Sequence, residues 1–199
     1  GDLDVVALQS FVGMESGFVS VWYDQSGYGY DLFQNNNSLQ PRIINSGAVD
    51  RNSAGQPAVY FPGNGFLGGS NGFPVSSDYT VSLIVQQNTT ATNGAVLSSL
   101  NGREHLIRYN STTTLHNWHN GDFVTGPAAP LSTVAIQTVS FLNDVNPSCI
   151  IYTNGLAGGT GYTGNRNTDP TIDLGAWAGN GLQLTGYISE AIVLPSVLT

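Results

Sequence analysis

From Val19 the chain alternates apolar and polar residues through Val19-Ser20-Val21-Trp22, then stops at Asp24-Gln25-Ser26-Gly27-Tyr28-Gly29, with a polar, Asn-rich stretch beyond it. Gly27 and Gly29 admit backbone angles that a β-carbon forbids, so this segment reads as a strand running into a shaped loop. The same pattern recurs along the chain. Short alternating or apolar runs sit between Gly, Asn, Pro and Asp clusters, and helical periodicity is nearly absent, which predicts an all-β, antiparallel two-sheet sandwich.

The pattern predicts strands over Phe18–Tyr23, Ala58–Phe61, Tyr79–Gln86, Ala95–Ser99, Glu104–Tyr109, Thr114–Trp118, Val134–Phe141, Ser148–Thr153, Thr171–Leu174 and Gly186–Val193. One short helix is expected around Asp4 to Phe11. Tyr152-Thr153-Asn154-Gly155 predicts a hairpin, because Asn-Gly accepts the positive φ angles of a two-residue turn. The stretch from Gly63 to Gly72 is too rich in glycine to hold a strand by propensity and is expected to be a rim loop. With neither a linker nor an internal repeat, residues 1–199 are expected to form one domain.

All five basic residues are arginines (Arg42, Arg51, Arg103, Arg108, Arg166), and the formal charge is −8. A nucleic-acid partner needs a basic stripe to displace counterions from phosphates, so DNA and RNA are excluded as expected ligands. The longest apolar runs fall far short of a membrane span, and the chain is expected to be soluble with no membrane insertion. With charge so sparse, the surface must be Asn, Ser, Thr and Gly, a composition that fits an extracellular, cell-surface or virion setting. Cys149, the single cysteine, lies in an apolar run and is expected to be a core residue. Acceptor sequons occur at Asn36, Asn88 and Asn110.

Several blocks together carry a family resemblance: Trp22-Tyr23-Asp24-Gln25-Ser26-Gly27, Gln40-Pro41-Arg42-Ile43, Gly55-Gln56-Pro57-Ala58-Val59-Tyr60-Phe61, Tyr152-Thr153-Asn154-Gly155 and Gly186-Tyr187-Ile188-Ser189-Glu190. The chain resembles the concanavalin A-like, laminin-G-like jelly rolls of bacterial surface and phage virion proteins. More distantly it is similar to the catalytic domain of α-L-arabinofuranosidase B. The resemblance implies a jelly-roll sandwich cut from a longer chain at both ends, since such domains carry a further strand before Leu8 and a helix after the last strand. Exposed strand edges would follow, and these invite partner strands.

Glycosidic hydrolysis needs a carboxylic acid and a carboxylate flanking the scissile bond. The glutamates are Glu15, Glu104 and Glu190. The resemblance sets Glu104 near the nucleophile of the arabinofuranosidase and Glu190 in a closing strand where many non-catalytic members carry one. The resembled acid falls in Trp177-Ala178-Gly179-Asn180, where an amide replaces it, and an amide cannot act as a general acid.

Sugar recognition fits the residue types better. An aromatic ring covers the apolar face of a sugar while amides, carboxylates and imidazoles bind its hydroxyls. Tyr28, Tyr30, His116, Trp118, His119, Asp122, Trp177 and Asn180 are the candidate ligand-binding residues, gathered on a rim from three segments. If Trp118 or Trp177 is instead fully buried, it belongs to the core. Two histidines on one stretch are too few for zinc. Asp24, Asp31 and Asp122 offer oxygens to calcium without the dense acidic pattern of a calcium loop, and Asp24 has the alternative role of capping its own turn. No other cofactor is expected. The expected function is a non-catalytic module that binds glycans or presents and connects surface or virion subunits. A glycoside hydrolase and a filament or capsid subunit are the alternatives.

Overall fold

The computed structural model describes residues 3–74, 77–89, 94–99, 106–109, 114–119, 122–143, 148–161, 169–177 and 181–197. After helix α1 (Val5–Val12) come strands β1 (Gly17–Phe18), β2 (Val21–Trp22), β3 (Leu32–Phe33), β4 (Arg42–Asn45), β5 (Ala48–Val49), β6 (Val59–Pro62), β7 (Leu67–Gly69) and β8 (Tyr79–Gln87). The second half carries β9 (Ala95–Ser98), β10 (Leu106–Tyr109), β11 (Thr114–His119), β12 (Asp122–Ala128), β13 (Ala135–Phe141), β14 (Cys149–Thr153), β15 (Leu156–Gly161), β16 (Ile172–Leu174) and β17 (Thr185–Leu194). Among the described residues these form two antiparallel sheets. One runs β1-β4-β6-β17-β8-β13-β14-β15 with β5 beside β4, and the other runs β12-β11-β10-β9-β16-β7-β3-β2.

Alternation builds the layer between them. On β8, Val81, Leu83 and Val85 are buried while Ser82 and Ile84 are half-exposed, as the two-residue period of a strand requires. Opposite, Leu67, Leu97, Ile107, Ile172 and Leu174 fill the inner face of the second sheet. Tyr79 stacks on Phe141 at 4.9 Å and meets Phe73 edge-on at 4.8 Å. Cys149 is fully buried in this layer. Asn154 and Gly155 have φ of 51° and 78°, joining β14 to β15 by the expected hairpin.

Three expectations are corrected. Phe18–Tyr23 is not one strand: β1 pairs with β4 and β2 pairs with β3, in different sheets. The changeover falls at Val19–Ser20, where the Val19 amide donates to Pro41 O and the Ser20 carbonyl accepts from the Gln34 amide. The glycine-rich stretch from Gly63 to Gly72 contains β7, which pairs with β3 and β16. The short strands β3, β4 and β5, together with β12 and β15, were not foreseen, because their apolar runs are brief or interrupted by glycine and proline. Helix α1 is as expected, with Asp4 capping it by accepting from the Ala7 amide at 2.9 Å.

Much of the motif set that carries the family resemblance is scaffold. Arg42 grips Asp50 with two nitrogens at 2.8 and 3.1 Å and lies 4.9 Å over the Tyr60 ring, which packs on Tyr187 at 5.0 Å. Hydrogen bonding to Asp50 raises the pKa of Arg42, which keeps the guanidinium charged. Asn52 donates to Ser189 and Gln56, fastening the β5–β6 connection onto β17.

Candidate functional site

The Asp24 turn is built by its own carboxylate. Oδ1 accepts from the Ser26 amide at 2.8 Å, and Oδ2 accepts from the Ser26 hydroxyl at 2.5 Å and the Tyr30 amide at 3.2 Å. These bonds, that of the Ser26 side chain foremost, lower the pKa of Asp24. Gly27 and Gly29 occupy φ of 86° and 75°, as their sequence context predicts. Asp31 closes the turn by accepting from the Asp24 amide at 2.8 Å. The turn thereby holds Tyr28 and Tyr30 outward, 78% and 44% exposed, with their rings 5.9 Å apart and 25° from parallel.

This tyrosine pair borders a cleft of about 540 Å³ on the outer face of the second sheet. That volume falls in the range of small-ligand sites. Asp31, Phe33, Gln34 and Asn35 line one side, Ser70 and Asn71 another, and Phe66, Gly68, Gly69 and Asp173 complete it. Strand alternation explains the floor. Leu32, Leu67, Ile172 and Leu174 point into the core, which turns Phe33, Gly68 and Asp173 to the other face in one cross-strand row, where Asp173 is covered to 2% exposure. Phe33 is 47% exposed. A β-carbon on Gly68 would stand 2.7 Å from Asp173 Oδ1, so the aspartate carboxylate leans over the glycine. Gly72, with φ of 123°, lets the loop after β7 close against Tyr30, whose Cβ would be 3.0 Å from an added β-carbon. Gln34 is fixed between the Phe66 carbonyl, to which it donates, and the Asn36 amide, from which it accepts.

The three expected segments have different fates. Tyr28 and Tyr30 line the cleft. His116, Trp118 and His119 belong to β11 and Asp122 opens β12, so this segment is paired strand and not a loop rim. Trp118 pairs with Leu106, which continues the row through Ser98 to Asp173. Trp177 is half-buried in a small bridge with Gly181 and does not line the cleft. Asn180 and Glu104 lie outside the described residues. Glu190 is exposed on β17, in the other sheet. Among the described residues no three His, Cys, Asp or Glu side chains are grouped to hold a metal, and the carboxylate of Asp24 is engaged with its own turn. Asp173 is the main residue that sequence reasoning passed over. Its signal was a carboxylate between two core positions, Ile172 and Leu174.

No protein-family model matches the chain, and no curated protein matches it significantly. Solved structures do. A GH54 α-L-arabinofuranosidase superposes with a TM-score of 0.65 at 12% identity over 98% of this chain and 51% of that one. The native heptameric SAP-like pentraxin of Limulus polyphemus gives 0.56 at 17% identity, covering 71% and 77% of the two chains. Domain 4 of an extracellular GH43 arabinanase from Geobacillus stearothermophilus, solved with arabinotriose, gives 0.51 at 16% identity over 91% and 78%. The chain spans about half the length of the arabinofuranosidase. These likenesses establish the concanavalin A-like jelly roll, the fold that the motifs imply.

Proposed function

We propose that this chain is a non-catalytic carbohydrate-binding β-sandwich whose glycan site is the cleft beside the Asp24–Tyr30 turn. The observation that carries this reading is the exposed, stacked Tyr28–Tyr30 pair at the mouth of a cleft furnished with carboxylate and amide groups. Aromatic faces take the C–H surface of a sugar, and Asp31, Gln34, Asn35, Asn71 and Asp173 supply partners for its hydroxyls. The arabinotriose-bound arabinanase domain supports the reading by showing that a similar sandwich accompanies a sugar. Asn180 at the position of the resembled acid disfavours the arabinofuranosidase mechanism. The low-charge, hydroxyl- and amide-rich composition supports placement outside the cell, at a cell surface or on a virion.

A glycan array followed by calorimetry on the array hits tests this. Binding that is lost in the Tyr28→Ala, Tyr30→Ala double variant, with unchanged thermal unfolding, is the expected result. A purely connecting or filament-forming module gives no reproducible glycan signal.

A further inference from the structure

We propose that Asn71, at the border of the cleft, is a site of spontaneous deamidation, and that its conversion weakens sugar binding there; the second half rests on the sugar-binding reading. Three Asn-Gly pairs lie wholly among the described residues: Asn64-Gly65, Asn71-Gly72 and Asn154-Gly155. Glycine after asparagine favours the reaction, because without a β-carbon the following amide nitrogen is unobstructed and its backbone turns freely. The fold treats the three pairs differently. Asn154 is locked in its hairpin, where its Oδ1 accepts from the Ile136 amide at 2.9 Å and its own amide donates to the Ile136 carbonyl at 2.8 Å. Gly65 is buried, with its β-carbon position 3.0 Å from the Leu39 carbonyl oxygen, so base and water are kept from its amide. Asn71 is exposed, and among the described residues no hydrogen bond engages its side chain or the Gly72 amide.

The packing that closes the cleft also imposes this pair. Residue 72 has φ of 123°, and a β-carbon there would stand 3.0 Å from Tyr30 Cβ, so glycine must follow Asn71. In the reaction the Gly72 nitrogen gives up its proton and bonds to Asn71 Cγ, the Cγ–Nδ2 bond breaks, and ammonia leaves with a proton taken from water. Water then opens the resulting succinimide at either carbonyl, giving aspartate or isoaspartate. The net exchange is water for ammonia, with no oxidant or reductant. Aspartate loses the two N–H donors of the amide and only accepts hydrogen bonds. Isoaspartate also moves a methylene into the main chain, in the loop that Gly72 holds against Tyr30. Either product alters the border of the cleft that Asn71 shares with the tyrosine pair.

The test incubates the whole folded chain at mildly alkaline pH and follows the peptides carrying Asn64, Asn71 and Asn154 by mass spectrometry, reading the amide-to-acid mass gain and the fragment ions of isoaspartate. Asn71 is expected to convert several-fold faster than Asn64 or Asn154, and the three rates should converge when the chain is unfolded in denaturant. The Asn71→Gln variant, whose longer side chain would have to close a six-membered ring, should lose the early acidic species on ion exchange. Equal rates at the three sites in the folded protein, or an intact Asn71 where Asn154 converts, would overturn the proposal. Calorimetry with neutral arabinose-, glucose- and galactose-terminated oligosaccharides then compares fresh with converted protein, and an affinity loss of about tenfold or more is expected. Undiminished affinity would overturn the effect on the cleft and leave the deamidation standing. Absence of binding by fresh protein to every probe would overturn the sugar-binding reading and the effect with it, whereas the mass readout is independent of both.

Discussion

Gly27 and Gly29 have nothing within 4 Å of the place where a β-carbon would stand, so alanine at either position meets backbone strain and no steric clash. With φ at 86° and 75°, each of Gly27→Ala and Gly29→Ala is expected to lower unfolding stability by about 1 kcal/mol, measured by denaturant titration. Unchanged midpoints would mean that the turn relaxes into another geometry. This was legible in the sequence because the whole device is local: an aspartate, a serine two residues on and two glycines make the turn without help from the rest of the chain. Arg42 is the opposite case. Its motif was recognisable, yet its role depends on Asp50, Tyr60 and Tyr187, which only the folded sheet brings to it.

At the scale of strands, periodicity located the long elements and misread the short ones. Alternation reports which residues face inward and does not report which sheet a strand joins. Val19-Ser20-Val21-Trp22 therefore looked continuous although the chain passes from one sheet to the other at Ser20. Strand β7 fails the propensity argument for a physical reason. A β-carbon on Gly69 would stand 2.9 Å from Leu32 Cδ2, and one on Gly68 2.7 Å from Asp173 Oδ1, so close neighbours select glycine where a free strand would disfavour it. Gly186 on β17 shows the same logic in the central part of the first sheet. Its β-carbon would fall 2.0 Å from the carbonyl oxygen of Gln86 on β8, a backbone atom held by the ladder. Gly186→Ala is accordingly expected to cost about 2 to 3 kcal/mol of stability. Calorimetric melting checks this, and a loss below about 0.5 kcal/mol would show that β17 shifts to make room.

Across the whole molecule, the sandwich places a tight turn near the amino terminus beside a strand that arrives more than a hundred residues later. The sequence showed the tyrosines as exposed turn residues, but the floor beneath them needs β3, β7 and β16 side by side, a pairing no local pattern announces. The His116–Asp122 segment drew attention through its density of polar and aromatic types, while its backbone is committed to paired strands. Gly68 now separates a binding cleft from an incidental hollow. It lies in extended strand without a left-handed φ, so alanine is compatible with its backbone, and the methyl must displace the Asp173 carboxylate that stands 2.7 Å away. A hydrogen bond to a charged group contributes about 1.5 to 3 kcal/mol, so Gly68→Ala is expected to weaken binding of a neutral oligosaccharide by about tenfold or more. Thermal unfolding of the variant, measured alongside, separates lost sugar contacts from a loosened fold, because Asp173 is only 2% exposed and its displacement also disturbs the floor of the cleft. Undiminished sugar affinity in a well-folded Gly68→Ala protein would move the binding site away from Asp173 and onto the tyrosine rim alone.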